Sequence, residues 1–162
     1  MQSKLVSSAI LAIIVFGLYS CSKSSMSPAA GVSNIGFQST LSGSSATPAN
    51  GSKATGSATF TYNPATYILS GTVTFQGMTP TGAHIHEGAP GVGGVVVFLL
   101  VSGTITSPIS FTSPVLDVTQ RASLLSNQYY INLHSTAYPD GEIRGQLVQQ
   151  SPGSGGNGGS PY

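Results

Sequence analysis

Short runs in which apolar and polar residues alternate recur between about residues 57 and 148. Alternation with a period of two is typical of strands with one buried face, and no long stretch has the spacing of an amphipathic helix. Turns are indicated at 63–64, 79–82 and 138–141, where proline, glycine and asparagine gather. The predicted strands cover 57–62, 67–78, 83–87, 129–134 and 142–148. The pattern predicts an all-β domain, an antiparallel Greek-key or immunoglobulin-like β-sandwich or barrel.

Three segments depart from simple alternation. Residues 95–101 are continuously apolar, which predicts a strand covered on both faces. Residues 118–126 have loosely helical spacing behind Asp117, a residue type that caps helices, so one short helix is predicted there. The glycine-rich loop 87–94 is not followed by the Gly-Lys-Ser/Thr that phosphate-binding loops require, so we interpret it as a tight turn.

The N-terminus predicts export and lipidation. Lys4 precedes a short apolar run, 9–18, that is too short for a comfortable membrane span. The run ends in Leu18-Tyr19-Ser20-Cys21, which resembles a bacterial lipobox, and Cys21 is the only cysteine. Residues 1–20 are therefore predicted to be a signal peptide and Cys21 the lipidation site. The lipid implies membrane anchoring in the bacterial cell envelope, at the outer membrane or the cell surface.

The regions that follow differ in composition. Residues 21–31 read as the lipidated cysteine and a tether, 32–149 as the β domain, and 150–162 as a Gly/Ser-rich disordered tail.

Charged residues are only 6% of the chain, against about 25% in typical soluble domains. Without Lys4, four Lys and Arg residues (5 − 1) face four Asp and Glu residues. No basic patch is available to hold nucleic acid by neutralising its phosphates, so no nucleic-acid partner is expected.

The three histidines of the chain fall on two of the predicted strands. His84 and His86 flank Ile85, and residues two apart on a strand share a face. His134 belongs to Ile131-Asn132-Leu133-His134, whose apolar residues should face the core. The same logic turns Glu142 and Arg144 away from the core. If these strands are neighbours, the polar cluster comprises His84, His86, His134, Glu87, Asn132, Glu142 and Arg144.

Two interpretations of this cluster stay open. Three imidazoles from two strands could hold one metal ion, and copper and zinc are the metals that imidazole suits. Alternatively, the histidines could form a structural network with backbone carbonyls and with Glu87 or Glu142. No nucleophile-elbow motif accompanies the many serines, so Ser/His/Asp catalysis is not indicated.

The second half of the domain resembles the CHRD family, which is named after chordin and includes many bacterial proteins. The resemblance lies in Gly82-Ala83-His84-Ile85-His86-Glu87-Gly88, in Tyr130-Ile131-Asn132-Leu133-His134 and in Pro139-Asp140-Gly141-Glu142-Ile143-Arg144-Gly145-Gln146. It extends from about Gly36 to Val148, with the first half matching only in strand pattern. It implies an extracellular β-sandwich and supplies no established activity.

A narrower similarity concerns His84-Ile85-His86-Glu87, which looks like the strand that supplies two copper ligands in copper/zinc superoxide dismutases. The loop 87–94 lacks the further histidines that bridge copper to zinc, and only His134 remains as a third copper ligand. The resemblance therefore implies at most a reduced copper or zinc site.

The sequence thus favours a non-enzymatic binding or structural module on a lipid anchor, with a protein or small ligand that it does not identify. The alternative is mononuclear copper or zinc binding by His84, His86 and His134, with redox chemistry like that of superoxide dismutase as one use of the ion.

Overall fold

The computed structural model describes residues 33–151. The predicted signal peptide, Cys21 and the tether up to residue 31 lie outside the described residues, as does the tail from residue 152. None of the helices among the described residues is long and apolar enough to cross a membrane.

Nine strands and one α-helix follow one another between residues 33 and 151. They are β1 (Ile35–Ser42), β2 (Thr55–Asn63), β3 (Ile68–Gln76), β4 (Gly82–Glu87), β5 (Val95–Leu99), β6 (Ile109–Thr112), α1 (Val118–Leu125), β7 (Tyr129–His134), β8 (Ile143–Gln146) and β9 (Val148–Gln149). A short 3-10 turn, Gly43–Ser45, follows β1.

The strands form one sheet with the order β5-β4-β7-β8-β1-β2-β3-β6, and β9 pairs with β1. Every pairing is antiparallel. Phe98 of β5 and Phe111 of β6 come from opposite ends of this order, yet their ring centroids lie 5.7 Å apart. The sheet therefore curls into a half-barrel, which confirms the predicted all-β class.

The core lies inside the curl and is formed by alternate residues of each strand, as the period-two pattern predicts. Phe60 of β2 is 1% exposed and Ile85 of β4 is fully buried. The other fully buried side chains include Phe37, Leu41, Leu69, Ile131, Leu133, Ile143 and Leu147. The opposite faces of β4, β7 and β8 consequently carry their polar residues on the outside of the curl.

The predicted short helix is confirmed as α1. Asp117 accepts a hydrogen bond from the backbone N–H of Gln120 at 2.8 Å, and the Gln120 side chain accepts one from the Asp117 N–H at 3.0 Å. This reciprocal capping box satisfies two amide groups that a helix start leaves free. Leu124 is fully buried and attaches the helix to the core.

The prediction that residues 95–101 form a strand covered on both faces is wrong. β5 is the first strand of the sheet and pairs only with β4 among the described strands. Val95 is 71% exposed and Leu99 is 50% exposed. A short apolar run does not distinguish a central strand from an edge strand, because that difference depends on non-local pairing.

The predicted last strand, 142–148, is divided in two. β8 pairs with β7 over Ile143–Gln146, whereas Val148 of β9 pairs with Gln38 of β1. Leu147 lies between them, is buried, and donates its N–H to the Tyr129 carbonyl at 2.9 Å. The chain thus changes its main pairing partner at Leu147.

Gly141 has φ +132°, in the region that side-chain-bearing residues avoid. Its N–H donates to the Tyr138 carbonyl at 3.1 Å, which closes the predicted turn. A Cβ at this position would overlap with the amide group of Asn132. We therefore expect Gly141→Val to lower the free energy of unfolding by about 1–3 kcal/mol.

Urea denaturation of this variant can be compared with Gly51→Val. Gly51 has no atom within 4 Å of an added Cβ and no left-handed φ, so this control should change little. Equal stability of the two variants would contradict the strain assigned to Gly141.

Candidate metal centre

The three histidines meet on the outer face of β4 and β7. These strands are antiparallel neighbours, with Gly82 opposite His134 and His84 opposite Asn132. The ring centroids of His84 and His134 lie 5.0 Å apart, and His86 lies 5.7 Å from His84 and 5.8 Å from His134. One nitrogen from each ring lies within 4.8 Å of one nitrogen of the other two. The predicted convergence of the three imidazoles is therefore present.

Backbone carbonyls determine the tautomers of two rings. His86 Nδ1 lies 3.0 Å from the Gly94 carbonyl oxygen, and His134 Nδ1 lies 2.8 Å from that of Pro139. A carbonyl oxygen only accepts hydrogen bonds, so each Nδ1 carries the proton and donates it. Each Nε2 then carries a lone pair.

The inward nitrogens have no partner. His86 Nε2, His134 Nε2 and His84 Nδ1 are all buried and make no hydrogen bond with any described residue. A buried polar atom without a partner costs about 1–3 kcal/mol. Three such atoms in one place therefore require an explanation, and a shared cation that accepts three lone pairs provides one.

The pKa directions agree with neutral imidazoles at neutral pH. Burial is the main cause that lowers the pKa of His84, and the neighbouring His134 and His86 lower it further. Burial also lowers the pKa of His86, while its hydrogen bond to Gly94 acts in the opposite direction. Imidazole binds a metal in its neutral form, so the lowered pKa values keep the lone pairs available near pH 7.

The alternative to a metal site, a structural hydrogen-bond network, is only half present. The outer nitrogens of His86 and His134 do bind carbonyls, but the proposed carboxylate partners are wrong. Glu87 accepts a hydrogen bond from Ser123 of α1 at 2.7 Å, and Glu142 accepts one from Ser52 at 2.7 Å. No carboxylate of residues 33–151 joins the histidine group.

The remaining predicted cluster residues share the outer face but have other partners. Asn132 donates to the Asp140 carbonyl at 3.1 Å. Arg144 donates to Thr47 at 2.7 Å and to the Ala89 carbonyl at 3.0 Å. Arg144 is only 3% exposed and Glu142 7%. This outer face is therefore covered, because the segments 43–52 and 88–94 contact it.

Two residues of the site were missed from the sequence. Tyr130 stacks on His86 at 5.0 Å with an interplanar angle of 14°, and its hydroxyl accepts the Gly94 N–H at 2.9 Å. Gly94 thus binds Tyr130 through its N–H and His86 through its carbonyl. The same period of two that links Asn132 with His134 places Tyr130 on their face, so that signal was available. The role of Gly94 depends on a loop conformation that no local pattern shows.

The geometry suits a mononuclear site. Imidazole nitrogens bind Zn²⁺ or Cu²⁺ at about 2.0–2.1 Å, which places the nitrogens of a tetrahedral site about 3.3 Å apart. The present separations of up to 4.8 Å require the rings to move inward by less than about 1 Å each. The carbonyls of Gly94 and Pro139 already orient the rings of His86 and His134, and metal-binding histidines usually donate their second ring N–H in this way.

Comparison with protein families gives one match. The family model described as the CHRD domain matches residues 37–147, a range that contains all three histidines, Gly94 and Arg144. A search of the curated proteins and a search of the solved structures gave no significant match. On the strength of the family match, the chain belongs to the CHRD domain family.

Proposed function

We propose that this CHRD domain is a lipid-anchored binding module whose ligand is a copper or zinc ion held by His84, His86 and His134. Two observations support the metal proposal: the three rings bring one nitrogen each within 4.8 Å of the others, and each ring has a buried nitrogen without a partner among the described residues. Without an ion, three buried imidazole nitrogens have no partner among the described residues; with one, each ring supplies a ligand.

The three ligand atoms restrict which metal ions the site can bind. Three neutral nitrogens, with no thiolate or carboxylate among them, suit Cu²⁺ and Zn²⁺ and do not suit Mg²⁺ or Ca²⁺, which prefer oxygen. Cu²⁺ has the higher intrinsic affinity for such ligands. His84 and His134 are partly exposed, so an ion could enter from solvent and keep one coordination position open to it.

The metal proposal can be tested by stoichiometry. The chain has three histidines, all in this site, and one cysteine. Protein without a polyhistidine tag, in a Cys21→Ser background and after chelator treatment, should bind one Cu²⁺ per chain in equilibrium dialysis. Electron paramagnetic resonance of the Cu²⁺ form should show nitrogen coupling.

The variant that tests the site is His134→Ala, which removes the one ligand that β7 contributes. It should weaken Cu²⁺ binding by about 100-fold or more, given that even outer-shell partners contribute 10–100-fold. Binding that survives unchanged in His134→Ala, or the absence of stoichiometric binding in the parent, would refute the proposed site.

The anchor is a separate proposal that rests on the sequence Leu18-Tyr19-Ser20-Cys21. In a bacterial host, we expect the wild type to fractionate with membranes and its N-terminal peptide to carry the mass of a lipid on Cys21. Cys21→Ala should release the protein from the membrane fraction, whereas Ser22→Ala should not. An unmodified Cys21 in membrane-extracted protein would show that the anchor proposal is wrong.

A further inference from the structure

Arg144 of β8 is a buried cation, and no acidic side chain of residues 33–151 balances its charge. Its side chain is 3% exposed. Its guanidinium group contacts neutral groups: the Thr47 hydroxyl, the Ala89 carbonyl and the ring of Tyr130, whose centroid lies 3.6 Å from Cζ. Burial lowers the pKa of Arg144, and no carboxylate of the described residues opposes that effect. Buried charges are normally paired, so this one is unusual.

A cavity of about 300 Å³ is lined in part by Arg144. Its polar lining comes from Thr40 of β1, Ser44 and Ser45 of the 3-10 turn, and Gln146 of β8, and Pro90 and Gly91 border it from the opposite loop. No acidic residue contributes to this lining. The cavity therefore combines one full positive charge with hydroxyl and amide groups.

The serine hydroxyls have a donor to spare. The Ser42 hydroxyl lies 3.0 Å from that of Ser44 and 2.9 Å from that of Ser45. Three hydroxyl protons serve these two hydrogen bonds, so one proton remains available. The guanidinium also has spare capacity, because its five N–H groups exceed the three acceptors found within 3.5 Å.

We propose that this cavity binds a small oxyanion, of the phosphate or sulfate class, between Arg144 and the Ser44–Ser45 turn. The anion supplies the negative charge that the buried guanidinium lacks, and charge-assisted hydrogen bonds to arginine are among the strongest in proteins. The site uses none of the three histidines, so it stands independently of the metal proposal.

The competing explanation is that Arg144 only joins the segments 43–52 and 88–94 to the sheet. Both explanations predict that Arg144 substitutions destabilise the domain, so stability alone does not separate them. Substitution of Ser44 and Ser45 does separate the two explanations. Both serines are exposed and make no hydrogen bond to Arg144, so only the anion-binding explanation gives their hydroxyls a role.

In the experiment, inorganic phosphate, sulfate and acetate are each titrated into the chelator-treated full chain at constant ionic strength. The NMR chemical shifts of the backbone amides report binding. We expect saturable shifts at Ser44, Ser45 and Gly91, with acetate showing whether a planar carboxylate also binds. Arg144→Gln should weaken phosphate binding by about tenfold or more. The Ser44→Ala/Ser45→Ala double variant should weaken it several-fold while the melting temperature stays unchanged.

Arg121→Gln is the matched control, because Arg121 also lies over a tyrosine ring, Tyr67, at 4.0 Å but lies outside the cavity. It should leave phosphate binding intact. If Arg144→Gln fails to fold, the serine double variant decides the question. Shifts that never saturate, that spread over the surface, or that the serine double variant leaves unchanged would overturn the proposal.

Discussion

Saturating Cu²⁺ or Zn²⁺ is expected to raise the melting temperature of the chelator-treated protein, and His86→Ala is expected to abolish that rise. An ion that binds only the folded state stabilises it by about 2.7 kcal/mol when its free concentration is 100 times its dissociation constant. For a domain of this size, that corresponds to a shift of roughly 10 °C.

His86 is the sharpest position for this test because its two nitrogens have separate roles. Nε2 is the unpartnered inward atom, whereas Nδ1 binds the Gly94 carbonyl at 3.0 Å. Without metal, His86→Ala should cost about 1–2 kcal/mol, since the Gly94 carbonyl loses its partner. With metal, the variant should gain nothing further.

Tyr130→Phe provides the control for this measurement. It keeps the aromatic ring that stacks on His86 at 5.0 Å and removes only the hydroxyl that binds Gly94. Most of the metal-induced rise should therefore survive. If metal fails to stabilise the wild type, or stabilises His86→Ala to the same extent, the histidines are fold determinants and the metal hypothesis fails.

Gly94→Ala is expected to lower the free energy of unfolding by about 2–4 kcal/mol and to weaken metal binding by about 10–100-fold. A Cβ on Gly94 would overlap with the Glu87 carbonyl oxygen where β4 ends and β5 begins. The backbone would have to move, and with it the carbonyl that orients His86 and the N–H that binds Tyr130.

Gly93→Ala is a closely matched control for this effect. Gly93 precedes Gly94 in the same loop, yet an added Cβ there meets no atom within 4 Å and the backbone is not left-handed. Urea denaturation and Cu²⁺ titration of both variants would compare the two positions directly. Similar losses in the two variants would mean that loop flexibility, and not the close approach of Gly94 to Glu87, determines the result.

Local alternation was enough to predict several parts of this protein. It placed His84 and His86 on one face with Ile85 in the core, because neighbouring side chains on a strand must point to opposite faces. Asp117 and the helical apolar spacing behind it predicted α1, because a helix cap is a contact between residues close in sequence. The turn at Gly141 was predicted for the same reason.

Local patterns do not predict which distant segments pair with each other. The apolar run 95–101 carries the same local signal in a central strand as in an edge strand, and only the sheet order makes Val95 an exposed edge residue. Alternation turned Arg144 away from the core but did not show that Ala89 and Thr47 contact its guanidinium.

The sequence by itself determined which side chains share a face, because that depends only on the geometry of a single strand. It also supplied the family signature within residues 37–147. The tertiary structure alone decided that β4 and β7 are neighbours, and hence that His134 meets His84 and His86. It also decided which nitrogen of His86 and of His134 remains free, because the carbonyls of Gly94 and Pro139 occupy the other one. Those contacts arise from packing between segments that no local pattern connects.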